Sequence, residues 1–386
     1  MQLNTIDTMH TTFQSLFVFI AAFLLSCSIF AQQGTFSVAT LNADGLPDRI
    51  LFIDVNEDGP GSEYTPAISR YLSEQSYDFI GVQENFNYND ELSSALLGDY
   101  RQDEFSGGIF AGGSLLNLWN LKFPCDGLSG FYRSTHILNE MQRTAWVENY
   151  GKTNHSNDDL CTKGFRRYEL TLDNGFNIRL YNMHMDASSD EDERTKNDGP
   201  DKAARMKQWL QLREDILSRM DSRPVIVLGD MNSYYARDDV KTNFIDAITA
   251  TGCATVSDVW IELERNNSYP PQTDDVVLWN APGWAYEGET LDKILYINPN
   301  TRWRIRPIDV NIDRTGYVRN DGITPLGDHF PLSATFIIED TDGLDFPHYG
   351  ALPPSIYSPD GRRLPRLQRG LNIVHMSDGT TRKVYY

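Results

Sequence analysis

The apolar positions of this chain fall into short unbroken runs, and most of those runs end on a polar side chain. Val225, Ile226, Val227 and Leu228 follow one another without a polar residue, the pattern of a strand buried on both faces. The run closes at Gly229 and delivers Asp230 and Asn232. Side chains two apart on an extended chain project to one side, so a carboxylate and a carboxamide are predicted to stand together at the rim of a sheet. A plain strand-to-turn transition would use the same residues; the other runs decide between the two. Residues 35–42 alternate like a strand and end at Asn42, and residues 77–84 form a buried strand ending at Glu84. Residues 164–172 and 176–183 read as two strands around an Asp173-Asn174-Gly175 turn, the second leading to His184. Residues 290–297 form a strand that carries Asp292, and residues 327–336 lead through Asp328 and His329 into a last strand.

Helical spacing appears over 67–75, over 202–220 with Trp209, Leu210, Leu212, Ile216 and Leu217 near one side, and over 244–249. Residues 105–150 are rich in glycine and aromatics and predict hairpins and long loops, and 186–201 is a charged loop. Residues 54–59 mimic the opening of a calcium loop, but Thr65 stands where the twelfth-position Glu is required, so the stretch reads as a plain acidic loop. Strands with a few helices and long connections predict an α/β fold, a four-layer sandwich of two packed sheets flanked by helices, over residues 35–340. Residues 345–386 differ: Pro353-Pro354, the basic residues Arg362, Arg363, Arg366 and Arg369, and two short strand-like runs around Asp378-Gly379 mark a small β-rich tail.

With 386 residues, 40% of them hydrophobic, the chain can bury a large core. A net charge of -20, from 54 acidic against 34 basic side chains, weighs against duplex binding, which draws its affinity from neutralised phosphates. Residues 13–30 are largely apolar and end at Ala31-Gln32-Gln33, which predicts a signal peptide over 1–31 and a secreted or cell-surface protein. Leu24-Leu25-Ser26-Cys27 offers the alternative of lipid anchoring at Cys27. No later stretch is long and apolar enough to span a membrane. Of Cys125, Cys161 and Cys253, the first two are expected to be bridged in an oxidising compartment, with three reduced thiols as the alternative.

The polar strand ends carry a consistent chemistry. A hard cation takes one or two carboxylates and keeps waters for substrate oxygens; Glu84 and Asp328, helped by Asn42, provide such a set. His329 suits the base that deprotonates an attacking water near pH 7, and Asp292, costly inside a strand unless partnered, suits the group that orients it. Asn232 and His184 suit the donors that meet charge developing on phosphoryl oxygens. Each has a structural alternative, such as a turn residue or a satisfied core histidine, but those alternatives would have to hold at six separate strand ends.

In order, Leu41-Asn42, Gln83-Glu84, Gly229-Asp230-Met231-Asn232, Leu291-Asp292 and Asp328-His329-Phe330-Pro331 resemble the motifs of the endonuclease/exonuclease/phosphatase superfamily, the DNase I-like fold. The resemblance implies a Mg2+ (or Mn2+) site at Glu84 and Asn42 with Asp328 as a second metal-side carboxylate. It also implies a catalytic pair of His329 with Asp292, Asp230 and Asn232 placing water and phosphate, and His184 where members carry His or Asn. Within the superfamily, Lys163-Gly164-Phe165 after Cys161, and Tyr181-Asn182-Met183-His184 before the acidic loop, are most similar to bacterial sphingomyelinases C. Lys293 departs from the Tyr common after that Asp. The C-terminal run resembles sorting tails of secreted Bacteroidetes proteins. These features imply a monomeric phosphodiesterase acting on phospholipid headgroups at a membrane surface. Trp279, Trp284 and Tyr286, close together before the Asp292 strand, offer either lipid contacts or loop packing. A nuclease of the same fold and a non-catalytic binding protein are the alternatives.

Overall fold

The computed structural model describes residues 32–50, 53–54, 56, 58–108, 123–151, 158–188, 199–237, 240–271 and 290–341, with short pieces of the tail between 355 and 385. The leader with Cys27, and the segment holding Trp279, Trp284 and Tyr286, lie outside the described residues.

The strands are β1 (Gln32–Asn42), β2 (Phe79–Gln83), β3 (Tyr100–Gln102), β4 (Ser129–Arg133), β5 (Ile137–Ala145), β6 (Gly164–Thr171), β7 (Asn177–His184), β8 (Val225–Asp230), β9 (Ala254–Asp258), β10 (Asp292–Pro299), β11 (Trp303–Ile312) and β12 (Leu332–Asp340). They form two six-stranded sheets, ordered β11-β12-β1-β2-β4-β3 and β9-β10-β8-β7-β6-β5. Each is mixed: β1 runs parallel to β2 and β7 parallel to β8, while β1–β12 and β8–β10 are antiparallel. Of the longer helices, Gly61–Gln75 lies on the first sheet and Gly199–Ser218 on the second.

The apolar run Val225–Leu228 shows why the layers form. Val225 and Val227 face Trp209, Leu212 and Ile216 of the helix Gly199–Ser218. Ile226 and Leu228 point the other way, into the space between the sheets, against Phe36, Val38, Phe79, Ile294 and Phe336. All four are fully buried, at about 1.5–3 kcal/mol for each such side chain. On the far side, Ile68 and Leu72 cover Ala39, Leu41, Ile80 and Val82. Near the site end the sheets are tied by polar groups: Gln83 donates to Asn182 Oδ1 at 2.6 Å, and Asn182 donates to the Val82 and Ser129 carbonyls at 3.1 and 3.0 Å. Such a network is stable inside only because every member is paired.

The predicted strands and helices are present with shifted ends. The Asp173-Asn174-Gly175 turn closes as expected, with Gly175 at φ 83° and its N–H donating to the Leu172 carbonyl. The helical stretch near 244–249 begins as a wider π-helical turn over Lys241–Asp246. Cys125 and Cys161 do come together, bracketed by main-chain bonds from Phe123 to Leu160 (2.6 Å) and from Thr162 to Cys125 (2.9 Å). The expected bridge is corrected to a pair of free thiols packed in one apolar cluster. The tail strands Ser355–Tyr357, Arg363–Leu364, Leu371–His375 and Thr381–Tyr385 form their own antiparallel four-stranded sheet. No helix among the described residues is long and apolar enough to cross a membrane.

Candidate active site

Register alone assembles half of the site. Asp230 ends β8 with His184 of β7 opposite it on one side and Asp292 of β10 on the other. Three neighbouring strands therefore present an imidazole and two carboxylates in one row. Gly229 makes the row possible: its φ is 145°, and a Cβ there would run into the Met183 carbonyl.

The first sheet brings its strand ends to the same place. Asn42 donates through Nδ2 to Glu84 Oε1 and to Asp230 Oδ2, both at 3.0 Å. Its own Oδ1 accepts the Asp44 N–H at 3.0 Å. The carboxamide expected to help a metal ion is thus a bridge between two carboxylates. Asp230 Oδ2 is a hub, with His184 Nε2 at 3.5 Å and His329 Nε2 at 3.8 Å. His329 turns its other nitrogen to Asp292, Nδ1 to Oδ2 at 2.6 Å. The Asn232 main-chain N–H donates to Asp230 Oδ1 at 3.1 Å, and its Nδ2 donates to the Met185 carbonyl at 3.2 Å.

Backbone strain concentrates here. Asp44, Glu84 and Asn232 occupy left-handed conformations at φ 50°, 54° and 45°, each costing on the order of 1–3 kcal/mol and persisting only where surroundings over-determine them. Around Glu84 those surroundings are explicit: its carbonyl accepts from the N–H groups of Gly45 and Phe86, and the N–H of Asn85 donates to the Gly127 carbonyl. A side chain at Gly45 would collide with that Glu84 carbonyl.

The electrostatics are those of crowded, buried carboxylates. Burial, reinforced by Asp328 and Glu84, raises the Asp44 pKa to about 8. Burial with Glu84 and Asp230 nearby raises Asp328 to about 6 against the pull of His329. Burial raises Asp230 as well. For His329, burial opposes the imidazolium, but the carboxylates of Asp292, Asp328 and Asp230 outweigh it and lift the ring well above its usual 6.5. His184 goes the other way: burial, then the Lys163 ammonium and His329, hold it well below 6.5. Two histidines within reach of one carboxylate are therefore shifted in opposite directions.

Lys163 and Asp44 are parts of the site that the sequence motifs did not assign. Lys163 is buried, sits 3.3 Å from His184 Nε2 and forms an ion pair with Asp158. In sequence it stands only as part of the Lys163-Gly164-Phe165 stretch that opens a strand. Asp44 accepts from Asn56 Nδ2 at 2.6 Å; an Asp two residues after a strand end reads in sequence as a loop residue.

An oxygen-rich set of this kind fits a hard divalent cation. Among the described residues, Asp230, Asp292 and His329 form one group of three whose ligand atoms lie within 4.8 Å of one another. Asp292 Oδ1 is buried without a hydrogen-bond partner. Glu84 keeps 20% of its side chain exposed, the opening a carboxylate needs to meet an ion and its waters.

No family model and no curated protein matches the chain. Solved structures do. The chain is similar to a humanised D. rerio TDP2, at 16% identity and a TM-score of 0.52 over 78% of this chain and 98% of the other. It is similar to D. rerio TDP2 complexed with a single-strand DNA product, at 14% identity and a TM-score of 0.50 over 78% and 99%. It is also similar to an endonuclease/exonuclease/phosphatase from Bacteroides vulgatus, at 16% identity and a TM-score of 0.50 over 79% and 100%. Identities this low speak for the fold, and the two packed mixed sheets with flanking helices agree with it. The chain carries the two-sheet α/β sandwich of these structures, the DNase I-like fold.

Proposed function

We propose that the protein is a secreted, divalent-metal-dependent phosphodiesterase, and that its substrates are phospholipid headgroup diesters of the sphingomyelin kind. The observation that carries the hydrolytic reading is the line Asp292–His329–Asp230. Asp292 holds Nδ1 of His329 at 2.6 Å, which leaves Nε2 turned toward Asp230 at 3.8 Å. A water placed between Nε2 and Asp230 gives its proton to Nε2 while its oxygen attacks phosphorus; the P–O bond to the departing alcohol breaks, its oxygen takes a proton from solvent, and the Asp292 carboxylate stabilises the imidazolium that forms. Neutral His184, the Lys163 ammonium and Asn232 surround the position where the phosphoryl oxygens come to lie and meet their growing charge. Glu84 and Asp328 would hold a Mg2+ or Mn2+ ion, which supplies Lewis-acid polarisation of the phosphoryl group.

The lipid reading rests on the sphingomyelinase-like stretches around Lys163 and His184 and on the expected leader at residues 1–31. The acidic charge of -20 favours it over a nuclease. The solved TDP2 complex with a DNA product keeps the nuclease reading as the second one. A panel of sphingomyelin, phosphatidylcholine, plasmid DNA and a chromogenic diester, each with Mg2+ and with EDTA, tests the assignment. Metal-dependent release of a phosphorylated headgroup supports it; metal-dependent nicking of the plasmid with no lipid turnover replaces it by the nuclease.

A further inference from the structure

Arg166 is a buried cation that the hydrolytic scheme leaves unused. It stands on β6, and strand alternation turns it with Tyr168 and Leu170 toward the space between the sheets. Its guanidinium reaches across to loops of the first sheet. Nε and Nη2 donate to the two oxygens of Asp126 at 2.9 and 2.8 Å, and Nη1 donates to Asp103 Oδ2 and to the Glu104 carbonyl, both at 2.7 Å. Burial works against the Asp126 carboxylate, yet Arg166 and then Arg143 hold its pKa below the usual carboxylate range. The oxygen that takes Nη2, Oδ1, also accepts the Leu128 N–H at 3.1 Å and so closes a turn around Gly127, at φ 67°. The Gly127 carbonyl accepts the Asn85 N–H at 2.8 Å, and a Cβ on Gly127 would overlap the Phe86 ring. Asn85 and Phe86 are the two residues after Glu84, whose φ of 54° persists only while such contacts hold it. A continuous line of contacts therefore runs from the second sheet, through Arg166, Asp126, Gly127 and Asn85, to Glu84. A buried ion pair is by itself weak support for stability; this one fixes a geometry.

We infer that Arg166 is a positioning residue for Glu84: its two-point grip on Asp126 fixes the Gly127 turn, and the turn holds Glu84 where it meets the divalent cation. The planar guanidinium fork fits both carboxylate oxygens at once, which an ammonium cannot do. Arg166→Lys keeps the positive charge and loses the fork, so a changed cation affinity in that variant reports geometry rather than charge. Arg143 donates through Nε to Asp126 Oδ2 at 2.9 Å from a partly exposed position, and Arg143→Gln removes one positive charge. Charge alone would then strengthen cation binding; a looser Gly127 turn weakens it. Arg167 supplies the control. It is the next residue of β6, is also buried, faces the other way and pairs with Glu140 and Glu169, away from this line.

The effect on cation affinity rests on the metal-dependent reading above; the effect on the Asn85 amide does not. Mg2+ affinity is measured by calorimetry on the full chain as wild type, Arg166→Lys, Arg143→Gln, Arg167→Lys and Glu84→Gln, and exchange of the Asn85 amide is followed by NMR in EDTA. Expected is Mg2+ binding weaker by about tenfold or more in Arg166→Lys, weaker by a smaller factor in Arg143→Gln, and unchanged in Arg167→Lys even where its melting temperature falls. The Mg2+ concentration giving half-maximal diester hydrolysis should rise with the loss of affinity in Arg166→Lys, with kcat recovered at saturating Mg2+. The Asn85 amide should exchange about tenfold faster in Arg166→Lys and at the wild-type rate in Arg167→Lys. With Glu84→Gln impaired in Mg2+ binding, wild-type affinity in Arg166→Lys overturns the inference, as does an equal loss in Arg167→Lys. Should Arg166→Lys not fold, unchanged or tighter Mg2+ binding in Arg143→Gln overturns it. With Glu84→Gln unimpaired, the metal reading falls instead and the Asn85 amide decides: faster exchange in Arg166→Lys keeps the grip, and a wild-type rate ends it.

Discussion

Replacing Asp292 by Asn separates the proposed partner of His329 from a metal ligand. The change keeps the shape and a hydrogen-bonding atom beside Nδ1, now 2.6 Å from a carboxylate oxygen, but removes the negative charge. Two unit charges about 4 Å apart at an effective dielectric of about 20 interact by about 4 kcal/mol. Removing that charge lowers the imidazolium's pKa, with Asp328 and Asp230 retaining part of the elevation. The base acts deprotonated, so the wild-type rate should rise with pH through a limb set by His329, lying above 6.5 because that ring is raised. In Asp292→Asn the limb should move to lower pH, while the plateau kcat falls by about 10²–10⁴ as the ring loses its orienting partner. Steady-state rates on a soluble chromogenic diester from pH 5 to 9, with Mg2+ affinity measured by titration, read both effects. An unmoved acid limb with Mg2+ affinity lowered tenfold or more would make Asp292 a metal ligand, a role its place in the Asp230–Asp292–His329 cluster also allows.

Other expectations are direct. Glu84→Gln should abolish Mg2+-dependent turnover while leaving the circular dichroism spectrum unchanged; full activity at saturating Mg2+ would remove Glu84 from the metal site. Without metal, stability should fall as pH rises from about 4 to 9. Asp328, Asp44 and Asp186 have folded pKa values raised to about 6, 8 and 9 from 3.8, so the folded state binds more protons than the unfolded one across that window. Thermal melts at pH 5 and pH 8.5 with and without Mg2+ should show a lower apo midpoint at pH 8.5 and the larger metal-induced gain there. Leu228→Ala should cost about 2–5 kcal/mol in denaturant unfolding by opening a cavity between the sheets. Trp284→Ala should impair hydrolysis of vesicles more than of a soluble diester; equal losses would assign Trp284 to packing.

The parts of this protein that could be read in its sequence are those set by short-range pattern. A run such as Val225–Leu228 declares both its strand and its double burial, and the polar residue closing each run declares a rim. The tertiary arrangement that brings those rims together is not local, yet it was anticipated, because several strand ends carrying complementary chemistry make sense only if they meet. What sequence could not show depends on groups that are ordinary by type. Lys163 is functional in position because its ammonium lies beside His184, and Asn42 donates to two carboxylates because the Asp44 N–H has taken its oxygen. Strands such as Tyr100–Gln102 and Trp303–Ile312 escaped notice because one is three residues long and the other, half exposed and broken by Pro307, lacks a clear apolar face. The cysteine pair was found from sequence, but its bonding state is chemistry that spacing does not encode.

The role of His329 as base for a metal-dependent diester hydrolase is tested most directly by single-turnover hydrolysis of bis-p-nitrophenyl phosphate by the wild type and by His329→Ala, in saturating Mg2+ and in EDTA. The wild type should turn over in Mg2+ and be silent in EDTA. His329→Ala should bind Mg2+ normally yet react more slowly by about a hundredfold or more, without the acid limb of the wild type. A His329→Ala enzyme with near-normal rate and the same limb would contradict it and move the base to Asp230.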